Sequence, residues 1–80
     1  TNERYWENVA LEIVTAGGLG INTDYIYVNE TMVKVMHRHN LLVSVYTVDM
    51  DYQMQRILAL SPDNITTNKV DKLLETINNW

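Results

Sequence analysis

Two histidines stand close enough together in this sequence to suggest chemistry. They belong to the stretch HRHN, residues 37 to 40, in which His37 and His39 could be read as a metal-binding pair. The spacing opposes that reading, because residues i and i+2 of a helix do not face each other. Cationic side chains are also favoured at the C-terminal end of a helix. We therefore expect the histidines to satisfy a helix end and a core edge, with Arg38 solvated.

Other polar side chains follow the apolar runs of the sequence. Asp49 comes near the end of the run LLVSVYTVDM, residues 41 to 50, and could be a ligand or a base. A helix begins beside it, however, which favours a role for Asp49 as the N-cap. Thr67 and Asn68 could meet a phosphate, yet they suit a strand end and a helix cap equally well. Tyr46 could wall a substrate pocket or pack in the core.

Apolar periodicity and turn residues predict four helices separated by three strands. The first helix spans residues 2 to 15 and stops before Gly17 and Gly18, which are helix-ending residues. The second helix begins after Asn29, and the third begins after Asp49. The predicted inward residues are Trp6, Val9, Ala10 and Ile13; Met32, Val33 and Met36; Met50, Met54, Ile57 and Leu58; and Leu73, Leu74 and Ile77.

The predicted strands are LGIN at residues 19 to 22, the run that starts at Leu41, and ITT at residues 65 to 67. Strands that alternate with helices of about a dozen residues imply parallel pairing with right-handed crossovers. The expected fold class is therefore α/β, with alternating helix-strand units and a small parallel sheet. The strands then end on one side of the sheet, where α/β proteins place their chemistry. The polar residues that arrive there are Asn22, Tyr46, Thr47, Asp49, Thr67 and Asn68.

Length and composition exclude several classes of protein. The 80 residues allow one domain at most, and a core of that size is marginal. Ten acidic against six basic residues give a net charge of −4, which argues against a nucleic-acid surface. No apolar stretch approaches the about 18 residues of a membrane span. The charged N-terminal stretch does not resemble a signal peptide, and a start at Thr1 suggests a cut or processed fragment.

Two stretches stand in order within residues 30 to 75: the strand run LLVSVYTVD and, further along, ILALSPDNITTNKVDKLL. In order and spacing they resemble the C-terminal third of a glycerophosphodiester phosphodiesterase. In that family an apolar strand of the form V-x-V-W-T-V-N leads to a helix and then to G-V-D-G-I-I-T-N/D-x-P-D. Tyr46 stands where many members have Trp, and Asp49 where Asn is usual. Val70 replaces the proline before Asp71.

The resemblance implies a (β/α)8 TIM barrel, of which residues 1–80 form a single segment at the C-terminal end. Such enzymes use a divalent metal, often Ca²⁺ or Mg²⁺, and two histidines to hydrolyse glycerophosphodiesters to glycerol 3-phosphate and an alcohol. The family's His-Arg motif, Glu-x-Asp metal pair and second His lie on early strands. The resemblance therefore implies a segment that binds no metal and is inactive alone, and it makes Tyr46 a substrate-binding aromatic.

Two other classes of function are open on the sequence. One is a stand-alone binding or oligomerisation module that keeps the barrel segment for its surface. A small complete enzyme is disfavoured, because no nucleophile-base pair or carboxylate cluster has suitable spacing.

Three parallel strands leave two open edges, so we expect self-association by sheet pairing across a two-fold axis or by exchange of the last helix. The self-association would be driven by apolar side chains that the helices leave exposed. The candidates are Trp6, Met32, Leu73 and Trp80.

Overall fold

The chain folds into the alternating helices and strands that its sequence predicts. The computed structural model describes residues 2–80. The helices are α1 (Asn2–Thr15), α2 (Glu30–Arg38), α3 (Asp51–Ala59) and α4 (Val70–Asn78), and the strands are β1 (Gly20–Asp24), β2 (Leu42–Tyr46) and β3 (Asn64–Ile65). A short 3₁₀ turn, Tyr25–Tyr27, follows β1.

The three strands form one parallel sheet in the order β1-β2-β3. Ile21 lies opposite Val43, and Val45 lies opposite Ile65. Because all strands run the same way, the loops that follow them share one end of the sheet, which we call the carboxyl edge. It is distinct from the lateral sides of the sheet, which are formed by β1 and β3. The loops that precede the strands lie at the other edge, the amino edge. The predicted α/β class with a small parallel sheet is therefore confirmed.

The helices cover one face of this sheet. Along β2, Val43 and Val45 are fully buried, whereas Leu42 and Tyr46 remain 48% and 39% exposed. This alternation means that one face of the central strand packs on the core and the other stays open. The buried valines belong to a single cluster with residues of all four helices, among them Ala10, Met32, Met36, Met54, Ile57 and Leu73.

Two helix boundaries follow directly from local chemistry. At the end of α1, Gly17 adopts a left-handed φ of +77°, and the Gly18 N–H donates to the Ile13 carbonyl at 2.8 Å. Glycine takes this conformation without steric cost, so the helix ends where the sequence predicts. At the start of α2, the Asn29 side-chain oxygen accepts the Met32 N–H at 2.9 Å, as expected for an N-cap.

Some predicted inward residues point outward. Met50 is exposed because it is the extended residue before α3 rather than part of its first turn. In α4, Leu73 is buried but Leu74 and Ile77 are exposed. The strand before α4, β3, has only two residues, so it offers α4 little sheet surface to pack on.

The apolar surface expected to drive self-association is also different from the prediction. Met32 and Leu73 are buried in the core, and Trp6 is partly buried against it. Only Trp80 of the predicted set is largely exposed. Within residues 2–80, no helix combines the length and the apolar character needed to cross a membrane.

Candidate functional site

A single carboxylate joins two loops at the carboxyl edge. Asp49 Oδ1 accepts the Asn68 backbone N–H at 2.8 Å and the Thr67 hydroxyl at 3.0 Å. Asp49 Oδ2 accepts the Asn68 side-chain amide at 3.2 Å. Both oxygens of Asp49, in the loop after β2, thus bond to the loop after β3. We call these three residues the Asp49 clasp.

The predicted N-cap role of Asp49 is wrong. The residue in the N-cap position of α3 is Met50, whose side chain accepts no helix N–H. Asp49 lies one residue earlier, and its carboxylate is directed across the edge to residues 18 and 19 positions later in the chain. An acidic residue between a strand and a helix fits both roles, and only the fold decides between them.

The contacts of the clasp keep Asp49 ionised. The Asn68 backbone N–H is the largest influence and lowers the pKa of the Asp49 carboxyl. Partial desolvation opposes this effect, but the Asn68 amide, the Thr67 hydroxyl and the positive charge of Lys69 lower the pKa further. A carboxylate that accepts three hydrogen bonds and has a lowered pKa is a weak proton acceptor. These contacts favour a structural role for Asp49 over a role as general base.

Thr67 and Asn68 are committed to the same network. The Thr67 hydroxyl donates to Asp49 and accepts the Lys69 N–H at 2.9 Å. Just before the clasp, the Val48 N–H donates to the Thr66 carbonyl at 2.9 Å. The two residues that the sequence suggested for phosphate therefore already bond to protein groups, which makes them part of the edge rather than free donors.

Tyr46 is the last residue of β2 and lies opposite Asp24 in the sheet register. It is 39% exposed, on the open face of the sheet, so it is not a buried core tyrosine. Asn22, which was expected at the same edge, lies in the middle of β1 because that strand continues to Asp24. Contact between Tyr46 and a substrate stays a prediction.

Sequence reasoning missed two residues that shape the loop after β1. Asp24 accepts the Ile26 N–H at 3.1 Å and so begins the 3₁₀ turn. Arg56 of α3 donates to the carbonyls of Tyr25 and Val28 at 2.6 and 3.0 Å. An aspartate after an apolar strand could have suggested the first contact. A single arginine on a polar helix face gives no signal for the second.

The two histidines lie at the amino edge, as their position before β2 predicts. His37 Nε2 lies 2.8 Å from Asp63 Oδ2, and His39 Nε2 lies 2.7 Å from Glu7 Oε2. The imidazoles therefore contact different carboxylates on different elements. In the part of the chain that the structure describes, no group of three or more His, Asp, Glu or Cys side chains could hold a metal ion.

Arg38 is ion-paired rather than simply solvated. Its guanidinium donates to Glu7 at 2.6 Å and to Glu3 at 3.0 Å, which joins α2 to α1. The hydrogen bond from His39 is the largest influence on Glu7 and lowers its pKa. Partial burial raises the pKa of Asp63, but the Val43 N–H and His37 outweigh it, and the pKa is lowered overall.

Comparison with known proteins gives a consistent result. Residues 1–72 match the model of the glycerophosphoryl diester phosphodiesterase family. A similar solved structure is that of a Silicibacter pomeroyi DSS-3 protein with a provisional assignment as a glycerophosphoryl diester phosphodiesterase, with a TM-score of 0.83 and 20% identity. The match covers 88% of this chain and 24% of that chain. A search of curated proteins finds no significant match.

The structural match identifies the fold. At 20% identity it supports the arrangement of strands and helices and no further property. The helix-strand units correspond to part of a (β/α)8 TIM barrel, and this chain spans about a quarter of the length of the solved protein.

Proposed function

Because this chain belongs to the glycerophosphoryl diester phosphodiesterase family, we propose that it is the C-terminal part of a barrel enzyme that hydrolyses glycerophosphodiesters to glycerol 3-phosphate and an alcohol. The family match over residues 1–72 is the observation that carries this proposal. The arrangement of the edge supports it, because the carboxyl ends of barrel strands are where such folds place substrates. Residues 1–80 are then one segment of that barrel and inactive alone.

Tyr46 is the residue of this segment that we assign to substrate binding. It ends the central strand at the carboxyl edge, and its ring is partly exposed on the face away from the helices. In a closed barrel that face points to the interior. An aromatic ring there can pack on the carbon atoms of a substrate while its hydroxyl bonds a polar group.

Residues 2–80, the part of the chain that the structure describes, do not fit a Ca²⁺ or Mg²⁺ site. Both cations take oxygen ligands, and several carboxylates or carbonyls must converge on one point. At the carboxyl edge, Asp49 directs both of its oxygens to N–H and O–H donors of the clasp. In the proposed enzyme, the divalent metal and the family's two catalytic histidines, which are not His37 and His39, are held by strands outside this segment.

Hydrolysis assays test the proposal. We expect no hydrolysis of glycerophosphocholine or a chromogenic phosphodiester by residues 1–80 with Ca²⁺, Mg²⁺ or Mn²⁺. The full-length product of the reading frame should hydrolyse glycerophosphocholine and lose activity with a chelator. In the full-length product, Tyr46→Ala should raise the KM for glycerophosphocholine. Tyr46→Phe, which keeps the ring and removes the hydroxyl, should separate their roles. Turnover by residues 1–80, or none by the full-length product, would contradict the proposal.

A second candidate is a non-catalytic module that self-associates. The observation in its favour is the open sheet face, where Leu42 and Tyr46 are exposed, together with Leu19, which is 80% exposed beside β1. Apolar surface next to an unpaired strand edge favours pairing with a second copy. Sedimentation equilibrium of residues 1–80 over a wide concentration range should show a dimer. A monomer throughout, with concentration-independent unfolding, would exclude self-association.

A further inference from the structure

The two helices that begin after β2 and β3 both lack a side-chain cap. Met50 and Lys69 occupy the N-cap positions of α3 and α4, and neither side chain accepts a helix N–H. By contrast, α2 is capped by Asn29. Helix N-termini leave backbone N–H groups that need acceptors. The clasp supplies acceptors just before α4: the Thr67 hydroxyl accepts the N–H of Lys69, the N-cap residue, and Asp49 accepts the N–H of Asn68, the residue before it.

The clasp also begins where the sheet ends. The last backbone bonds between these two parts of the chain are Thr66 N–H to the Val45 carbonyl at 2.8 Å and Val48 N–H to the Thr66 carbonyl at 2.9 Å. Beyond them, Asp49 continues the connection through its side chain. Its carboxylate is half-buried and bonds three donors, none of which carries a charge.

We propose that Asp49 is a positioning residue for the substrate site: it holds the loop after β3 against the loop after β2 and so fixes the wall that Tyr46 begins. This role rests on the proposed function, because it makes Tyr46 a substrate contact. Asp49 touches neither the substrate nor the reacting atoms. It acts through Thr67 and Asn68, whose loop forms the neighbouring part of the carboxyl edge.

Two substitutions separate the contacts of Asp49 from its charge. Asp49→Ala removes both acceptor oxygens, and with them all three hydrogen bonds, and leaves the Asn68 N–H and the Thr67 hydroxyl to water. Asp49→Asn keeps an oxygen for these two donors, and rotation of the Asn68 amide can restore the third bond. Asp51→Ala is the matched control, because Asp51 is an exposed carboxylate two residues away that forms an ion pair with Lys72 and lies outside the clasp.

The first measurement uses the full-length product with glycerophosphocholine. Loss of the clasp lets the edge shift, and misplacement of binding groups by about 1 Å can cost up to about a hundredfold in rate. We expect Asp49→Ala to raise KM about tenfold, with a smaller change in kcat. Asp49→Asn should restore most of the loss, and Asp51→Ala should leave KM unchanged. An unchanged KM in Asp49→Ala would overturn the positioning role.

The second measurement does not depend on activity. In residues 1–80, amide hydrogen exchange at Asn68 should be about tenfold faster in Asp49→Ala than in the unaltered chain, and close to unaltered in Asp49→Asn and Asp51→Ala. The Tyr46 ring resonances should shift in Asp49→Ala alone. The ¹H–¹⁵N spectrum of each variant checks that it is folded.

The two measurements distinguish the failure of each proposal. If no form of the full-length product hydrolyses the substrate, the proposed function fails. In that case faster Asn68 exchange and shifted Tyr46 resonances in Asp49→Ala would still support the clasp as the group that fixes this edge. If exchange and ring resonances are the same in all variants, the clasp does not hold the loops and the inference is wrong, whatever the activity.

Discussion

The two edges of the sheet hold their loops with carboxylates, but they use different partners. At the carboxyl edge, Asp49 accepts hydrogen bonds from neutral groups only. At the amino edge, Asp63 contacts His37, and Glu7 contacts both His39 and Arg38. Parallel α/β folds place binding at the carboxyl edge and stability at the amino edge. A histidine-rich motif must therefore be assigned to an edge of the sheet before a chemistry is assigned to it.

The largest effect should come from the amino edge at Asp63. Asp63 Oδ2 accepts the N–H of Val43 at 2.7 Å as well as bonding His37. Asp63→Ala leaves the N–H of a fully buried strand residue without this acceptor, so we expect a loss of about 1 to 2 kcal/mol in the free energy of unfolding. Urea titration at pH 7 measures it.

Asp63→Asn is the control for that substitution. Its amide oxygen can still accept the Val43 N–H, whereas its interaction with His37 loses the negative charge. The loss in free energy of unfolding should therefore be clearly smaller than in Asp63→Ala. Equal losses in the two variants would mean that the charge, and not the strand N–H, makes Asp63 important.

Acid should weaken both edges, through different groups. The pKa values of Asp49, Asp63 and Glu7 are lowered in the folded chain. Their contributions to stability are therefore fully present above the unfolded-state pKa, near pH 4, and are lost as pH falls through the lower folded-state values. Urea titrations between pH 7 and pH 2.5 should show this decline.

A substitution at one edge should alter the acid response of that edge and leave the acid response of the other edge unchanged. Asp49→Asn should remove the contribution of the carboxyl edge to the decline in the free energy of unfolding at low pH. His37→Gln should raise the pKa of Asp63, because the His37 contact lowers it, and should leave the pKa of Asp49 unchanged. NMR titration of the carboxyl carbons resolves each group. A change in the Asp49 pKa on replacement of His37 would show that the edges are coupled.

The sequence predicts the elements of this fold well because local chemistry determines them. The end of α1 follows from Gly17, and the start of α2 follows from Asn29. The fold class follows from the alternation of helices and strands, and the position of His37 and His39 before β2 places them at the amino edge. These inferences depend on neighbours within a few residues, which the sequence shows directly.

Contacts between distant parts of the chain limited prediction of the site. The partners of Asp49 are 18 and 19 residues away, and those of Arg56 are 28 and 31 residues away. A local pattern identifies Asp49 as a residue at a helix start, which is correct, and as its cap, which is wrong. Tyr46 could be placed at the edge because strand direction alone determines where it lies.

The smallest effect should come from Arg38 at the amino edge. Its contacts to Glu3 and Glu7 join exposed or partly exposed side chains on α2 and α1. Surface ion pairs contribute little, because water and salt screen them and the side chains lose freedom. Arg38→Ala should lower Tm by no more than about 4 °C in low salt. Differential scanning calorimetry measures the change.

The effect of salt on Tm should differ between variants of the two edges. In 1 M NaCl, where charges are screened over about 3 Å, the difference in Tm between the unaltered chain and Arg38→Ala should nearly vanish. The Asp49 clasp bonds neutral donors at hydrogen-bond distance, so we expect Asp49→Ala to lower Tm as well, and we expect this decrease to persist in 1 M NaCl. If 1 M NaCl abolished the decrease in Tm of both variants, the charge of Asp49, rather than its hydrogen bonds, would hold the two loops together. The two edges would then differ in position but not in the physics that holds them.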